Sequence, residues 1–186
     1  SIGRLRAGYE TAAYEVVETA GEFEIRDYPE LVLASTNMGS SESNGSFMRL
    51  FGYISGSNQT QQKVSMTTPV FMQPTDGDSE GSMGFVVPKE VASAGAPAPS
   101  SAQVNLTKRQ GGRFAVIRFS GRMNDAKRQE AEEKLRDWIK SKGLLAAALM
   151  EYAGYDPPFT PGPLRRNEVL IRLESPQPEA PTAGRK

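Results

Sequence analysis

The chain contains neither histidine nor cysteine in its 186 residues. These two absences exclude a disulfide framework, a Cys/His zinc site, a cysteine nucleophile, a Ser-His-Asp triad and a thiolate-held iron–sulfur cluster. They also exclude a haem iron held by the usual imidazole or thiolate. A surplus of either charge is missing as well: Lys+Arg and Asp+Glu both number 22. Polyanion binding rests on a basic excess, so no nucleic-acid partner is expected. Long apolar runs are lacking too. The longest, residues 144–150 (LLAAALM), falls far short of a bilayer-spanning segment, so no transmembrane helix is expected. No phosphate-binding glycine motif occurs, and Gly111-Gly112 reads as a turn. What remains is carboxylate, hydroxyl, amine or thioether chemistry, or a binding protein that needs no catalysis. The chain begins at Ser1, which leaves the compartment open: cytoplasm by default, or an exported or organellar location after removal of a leader.

Hydrophobic residues make up 38% of the chain, enough for an ordinary core. Composition predicts one domain over residues 9–174, between a flexible N-terminal tail (1–8) and a Pro/Ala-rich, disordered C-terminal tail (175–186). Residues 75–82 (TDGDSEGS) read as a hairpin tip, and 92–101 (ASAGAPAPSS) as a flexible connection between two halves, about 14–91 and 102–174. Each half shows the same order. In the first, 22–38 has strand character interrupted at Pro29. Phe47, Leu50, Phe51 and Ile54 then share one helical face, Gly56 ends that helix, and strands follow at 63–73 and 83–88. In the second, 113–120 alternates as a strand. Asn124 or Asp125 caps a helix that buries Ala131, Leu135, Trp138 and Ile139 and stops at Gly143; strands follow at 146–155 and 168–173. Two strand–helix–strand–strand halves imply an α+β fold: one antiparallel sheet or open barrel with two helices and a hydrophobic cleft between helix and sheet.

Several segments resemble the SOUL/haem-binding protein family. Asn58 followed by Lys63-Val64-Ser65-Met66-Thr67-Thr68-Pro69-Val70 is similar to that family's signature. Tyr14-Glu15-Val16, Glu24-Ile25-Arg26-Asp27-Tyr28 and Phe47-x-x-Leu50-Phe51-x-Tyr53-Ile54-x-Gly56 resemble its opening and its first helix. Phe85-Val86-Val87-Pro88, Phe114-Ala115-Val116 and Phe119-Ser120-Gly121 match in order. So does Ala153-Gly154-Tyr155-Asp156-Pro157-Pro158-Phe159-Thr160-Pro161, leading into Arg165-Arg166-Asn167-Glu168-Val169. The resemblance spans roughly 14–173. It implies a distorted antiparallel β-barrel with two flanking helices, and a bound haem or other porphyrin held non-covalently. The implied groove lies between the first helix (Phe47, Met48, Phe51) and the loop before the last strand (Tyr155, Phe159, Arg165). Aromatic and thioether walls suit a flat ring, and a guanidinium suits a propionate.

The implied protein is a haem/tetrapyrrole carrier or buffer without catalysis, holding the ring without His or Cys axial ligation. In residues 43–55 only Arg49 is basic. Micromolar affinity needs about −8.2 kcal/mol. About −0.3 kcal/mol per heavy atom over roughly forty ring atoms supplies it by burial alone. Met66 reads as core before axial sulfur, and Tyr28, Tyr53, Tyr152 and Tyr155 as buried aromatics before phenolate ligands. Asp156 before two prolines reads as a backbone cap, and Arg165 and Arg166 as solvated residues or an anion clamp. Two other functions stay open: a groove-type module for another amphipathic ligand, and a hydrolase using Glu168 with a tyrosine. Glu168 opens a buried strand, where it either pairs with an arginine or acts as an acid or base with a raised pKa.

Overall fold

The computed structural model describes residues 9–39, 43–76, 80–157 and 159–175. The two expected tails lie outside these apart from Ser175, as do the centre of the 75–82 tip and Pro158. In chain order the elements are β1 (Glu10–Thr11), β2 (Glu15–Ala20), β3 (Phe23–Tyr28), β4 (Leu31–Met38), α1 (Ser43–Ile54), β5 (Thr67–Thr68) and β6 (Val70–Gln73). They continue with β7 (Gly81–Val86), α2 (Lys89–Ala94), β8 (Val104–Arg109), β9 (Gly112–Phe119), α3 (Asp125–Ser141), β10 (Leu145–Gly154), a 3-10 turn (Gly162–Leu164) and β11 (Asn167–Glu174).

Local chemistry accounts for the boundaries. Pro29 separates β3 from β4, because proline cannot donate to a ladder. The Asn124 side chain accepts the Lys127 N–H at 2.8 Å and starts α3. Gly143, at φ +68°, follows its last turn in the left-handed conformation that favours glycine.

Nine strands form one antiparallel sheet in the order β2-β3-β9-β11-β10-β6-β7-β4-β8, while β1 and β5 pair in parallel beside it. The order carries the duplication. Around the central β10–β6 pair, β11 and β9 of the second half mirror β7 and β4 of the first. The opening strands exchange, β3 joining β9 and β8 joining β4. The structure is therefore a mixed α+β fold with a large antiparallel sheet and three helices. The sheet is not closed: β2 and β8 are its two edges, and no ladder joins them among the described residues.

The two long helices cover one sheet face. Beneath α1, Leu50, Tyr53 and Ile54 pack on Ala34, Met83 and Phe85; beneath α3, Ala131, Leu135 and Ile139 pack on Ala115, Ile117 and Val169. Met72 on β6 touches both clusters. Trp138 stacks on Phe23, with ring centroids 4.9 Å apart. The other face gathers Tyr28, Leu33, Phe71, Val86, Phe114, Val116, Ala153, Tyr155 and Leu170 into a third cluster drawn from seven strands.

One expectation needs correction. Residues 92–101 are not a free connection. Part of the segment is α2, and the rest is fastened to the end of α1. Tyr53 donates its hydroxyl to the Pro97 carbonyl at 2.7 Å, Gln59 N–H donates to Ala98 O, and Asn58 bridges to Pro99.

Candidate functional site

Residues Phe47, Met48 and Phe51 lie on α1, whose only charged side chain in the matched stretch, Arg49, turns back to the sheet. It donates to the Thr36 hydroxyl at 3.0 Å, the Asn37 carbonyl at 2.7 Å and the Ser46 hydroxyl at 3.2 Å. Leu50 and Tyr53 take the buried side, so the outward side is left to Met48 (61% exposed) and Phe51 (42%). Phe47 is half-buried, stacked with Phe51 at 6.4 Å and tilted against Phe85 at 5.8 Å. Met48 and Phe51 thus give α1 two exposed apolar side chains in addition to its buried face, where α3 carries charged residues.

The other three expected residues belong to the β10–β11 connection and do not share one environment. Phe159 is 86% exposed, Arg165 is half-buried and donates to the Thr160 carbonyl at 2.9 Å, and Tyr155 is 1% exposed within the core. Tyr155 is thus a core residue, drawn inward because β10 places it beside Ala153 on the enclosed face. No ring of the helix set touches a ring of the loop set among the described residues. The register does bring the two regions to one end of the sheet: Phe47 meets Phe85, Phe85 pairs with Val70, and Val70 pairs with Gly154. Three cavities of about 310, 480 and 250 Å³ are lined by none of the six residues.

Glu168 is fully buried and bound to arginine. Its oxygens accept from Arg26 at 2.8 and 2.6 Å and from Arg166 at 2.9 and 3.2 Å. Burial alone would raise the carboxyl, but hydrogen bonds and charge from Arg26, then the charge of Arg166, hold it below its ordinary value. The acid–base form of Glu168, which requires a raised pKa, is therefore set aside. Arg166 also donates to the Tyr14 hydroxyl at 3.0 Å and covers the Tyr155 ring at 3.9 Å, while Arg26 lies over Tyr14 at 4.1 Å. Arg166 is consumed by this cluster and is no external anion clamp. Asp156 accepts the Arg166 backbone N–H, which is the capping role expected of it.

The four tyrosines and the methionine weighed above as iron ligands belong to or pack against the core clusters. Burial pushes the Tyr28 phenol up to about 12 and raises those of Tyr53, Tyr152 and Tyr155, so none favours a phenolate near neutral pH. Met66 packs into the α1 core. Among the described residues no group of three or more carboxylates could hold a metal, and no helix is long and apolar enough to cross a membrane. The signature residues are structural: Asn58 donates to the Tyr53 and Gln62 carbonyls and accepts from Gln62 N–H, and Thr67 donates to the Val86 carbonyl.

The arginine pairing expected of Glu168 is observed, but its partner Arg26 and the partly buried pair Arg109–Glu151, bonded at 3.0 and 2.8 Å, escaped sequence reasoning. For the first, the signal was an arginine inside the strand Phe23–Tyr28. For the second there was none, since its partners sit 42 positions apart on strands that do not pair.

The family model described as SOUL heme-binding protein matches residues 9–172, and the chain belongs to that family. Heme-binding protein 2 of Mus musculus is 30% identical over 170 residues, covering 86% of this chain and 82% of that protein. Heme-binding protein 1 of Xenopus tropicalis is 28% identical over 156 residues, 79% of this chain and 81% of that one. Among solved structures, EcmrR in its complex with DNA matches with a TM-score of 0.61 at 11% identity. That match covers 82% of this chain and 57% of the other, and it establishes a shared fold alone.

Proposed function

We propose that this protein binds haem or another porphyrin without catalysis, as a carrier or buffer, with the ring laid flat against the outward side of α1. The observation that carries this reading is the exposed Met48 and Phe51 backed by the stacked Phe47. Family membership, with relatives named heme-binding proteins, supports the ligand class. Residues 9–174 act in this reading as one ligand-binding domain, its curled sheet a distorted, unclosed barrel. A bound porphyrin brings a large apolar π-surface and two carboxylates. The protein's part is to bury that surface against Phe47, Met48 and Phe51, to cap it with Phe159, and to offer Arg165 to a propionate.

Titration with haemin and with metal-free protoporphyrin, followed by absorbance, tests this. Saturable binding of both with comparable affinity is expected, and Met48→Glu with Phe51→Glu should weaken both about tenfold or more. Absence of saturable binding of either ring below about 10 μM would sink the reading.

A further inference from the structure

The face of the sheet opposite α1 and α3 carries a feature that the tetrapyrrole reading does not use. Two cavities, about 310 and 250 Å³, lie along it, and both are lined by Gln73, Lys108, Arg109 and Glu151. The first is completed by Leu33, Phe71 and the paired hydroxyls of Ser35 and Thr107, 2.8 Å apart. The second is completed by Phe114, Leu149, Leu170 and Arg172. The Arg109–Glu151 pair stands between them as a strap from edge strand β8 to central strand β10.

Arg109 is only 7% exposed, and its guanidinium is set against Phe71 at 4.3 Å, Phe114 at 4.4 Å and Tyr28 at 4.8 Å. Two of its nitrogens are bonded to Glu151, whereas Nη1 is buried without a hydrogen-bond partner. A buried cationic donor left unpaired is costly and is relieved by any acceptor brought to it. The charges lining the two cavities are Lys108, Arg109 and Arg172 against Glu151. Lys108 also faces Glu30 at 3.8 Å, so the excess positive charge rests on Arg109 and Arg172, and the walls of the trough mix Leu33, Phe71, Phe114 and Leu170 with polar side chains. Its size falls at the lower end of small-ligand sites.

We infer that this trough is a second ligand site, distinct from the α1 surface, for a small amphipathic anion. A carboxylate or sulfonate head is taken beside Arg109 and the apolar tail lies along Phe71 and Leu33 or along Phe114 and Leu170. The head satisfies Nη1 and is held by the positive charge of Arg109 and Arg172. The reading does not depend on tetrapyrrole binding.

The test uses the full chain with decanoate and 8-anilinonaphthalene-1-sulfonate as probes, decyltrimethylammonium as the cationic control, and calorimetry or fluorescence as readout. Saturable binding of the two anions is expected, with no comparable binding of the cation. Thr107→Trp, at an exposed lining position, should fill the first cavity. Arg109→Lys keeps the charge beside Glu151 but loses the fork. Either change should weaken binding about ten- to a hundredfold in protein whose circular dichroism is unchanged. Met48→Glu with Phe51→Glu should leave anion binding as it was. The inference is overturned if neither anion binds saturably, if the cation binds as tightly, if both trough variants bind like the parent, or if the α1 variants abolish anion binding.

Discussion

Replacement of Glu168 by Gln is the most incisive perturbation of the core, because the carboxylate it removes is fully buried and serves two guanidinium groups. Its two oxygens receive four donors, two from Arg26 and two from Arg166, at 2.6 to 3.2 Å. A glutamine offers one oxygen and turns its amide N–H₂ toward the remaining donors. Arg26 then keeps a single counter-charge, the partly exposed Glu24 at 2.6 Å, in place of two, and it has no access to water. Breaking a buried pair in this way costs about 3–5 kcal/mol, a large fraction of a total stability of about 5–15 kcal/mol. For a chain of this size the midpoint of thermal unfolding should fall by roughly 6–20 °C. The pH dependence supplies the sharper test. The folded-state pKa of Glu168 is depressed, so its contribution is complete above the unfolded value of about 4.3 and is lost as pH falls through the folded value. The gap between parent and variant should therefore be widest near neutral pH and shrink below about pH 4. Urea unfolding followed through the single tryptophan, Trp138, which stacks on Phe23, measures both. A loss under about 1 kcal/mol, or a gap that does not change between neutral and acid pH, would refute the reasoning.

Two further outcomes follow from other buried groups. Asn58→Ala removes the amide that ties the turn after α1 and leaves the Tyr53 and Gln62 carbonyls without that donor. It should cost about 1–3 kcal/mol in chemical denaturation while leaving the far-ultraviolet spectrum unchanged, and a neutral result would count against the structural role of the signature. The raised phenols of Tyr28, Tyr53, Tyr152 and Tyr155 contribute stability that is complete below about pH 10 and lost as pH rises, through about 12 for Tyr28. Phenolate absorbance from these residues, isolated by Tyr→Phe differences, should therefore appear together with the loss of tertiary circular dichroism. Ionisation of Tyr28 near pH 10 in a folded protein would contradict it.

The second half of the fold was legible because its segments carry simple patterns. Arg113–Phe119 holds the apolar run Phe114 to Ile117, buried on both sheet faces, Ala131, Leu135 and Ile139 recur every four residues, and Asn124 and Gly143 punctuate the helix between its strands. Strand β8 was not legible. In Val104–Arg109 only the two end residues are buried, and an edge strand with four exposed residues between them gives neither alternation nor an apolar run. Strand β2, also an edge, is exposed at five of six positions and is hidden for the same reason. The segment 92–101 misled through its composition: Ala, Pro and Ser suit a linker, but three of its carbonyls and amides are spent on the turn after α1. Met48 and Phe51 stand out in the sequence as apolar residues beside the buried face of α1, and the structure leaves both exposed. The burial of Tyr155 was not legible, because a loop-adjacent aromatic in sequence says nothing of which sheet face the preceding strand gives it. The trough was beyond reach, since its two sides meet only through the curl of the sheet.

The missing histidine and cysteine acquire a definite meaning once the remaining ligand candidates are located. An axial bond from this chain would need a tyrosinate or a thioether. The four buried phenols are displaced away from ionisation and Met66 is spent on the α1 core. In the reading proposed above, affinity for a porphyrin comes from area buried against Phe47, Met48 and Phe51, and area does not distinguish an iron-bearing ring from an empty one. Only the propionates remain to give orientation, and of the cations considered for them Arg49 and Arg166 are already bound to Thr36 and Glu168. In the same reading, orientation comes from Arg165, which donates to the Thr160 carbonyl at 2.9 Å and would turn to a propionate. Arg165→Gln should lower the affinity for protoporphyrin while leaving that for its dimethyl ester, which has no free carboxylates, unchanged. Equal losses for the two rings would mean that the arginine supports the loop and does not touch the ligand.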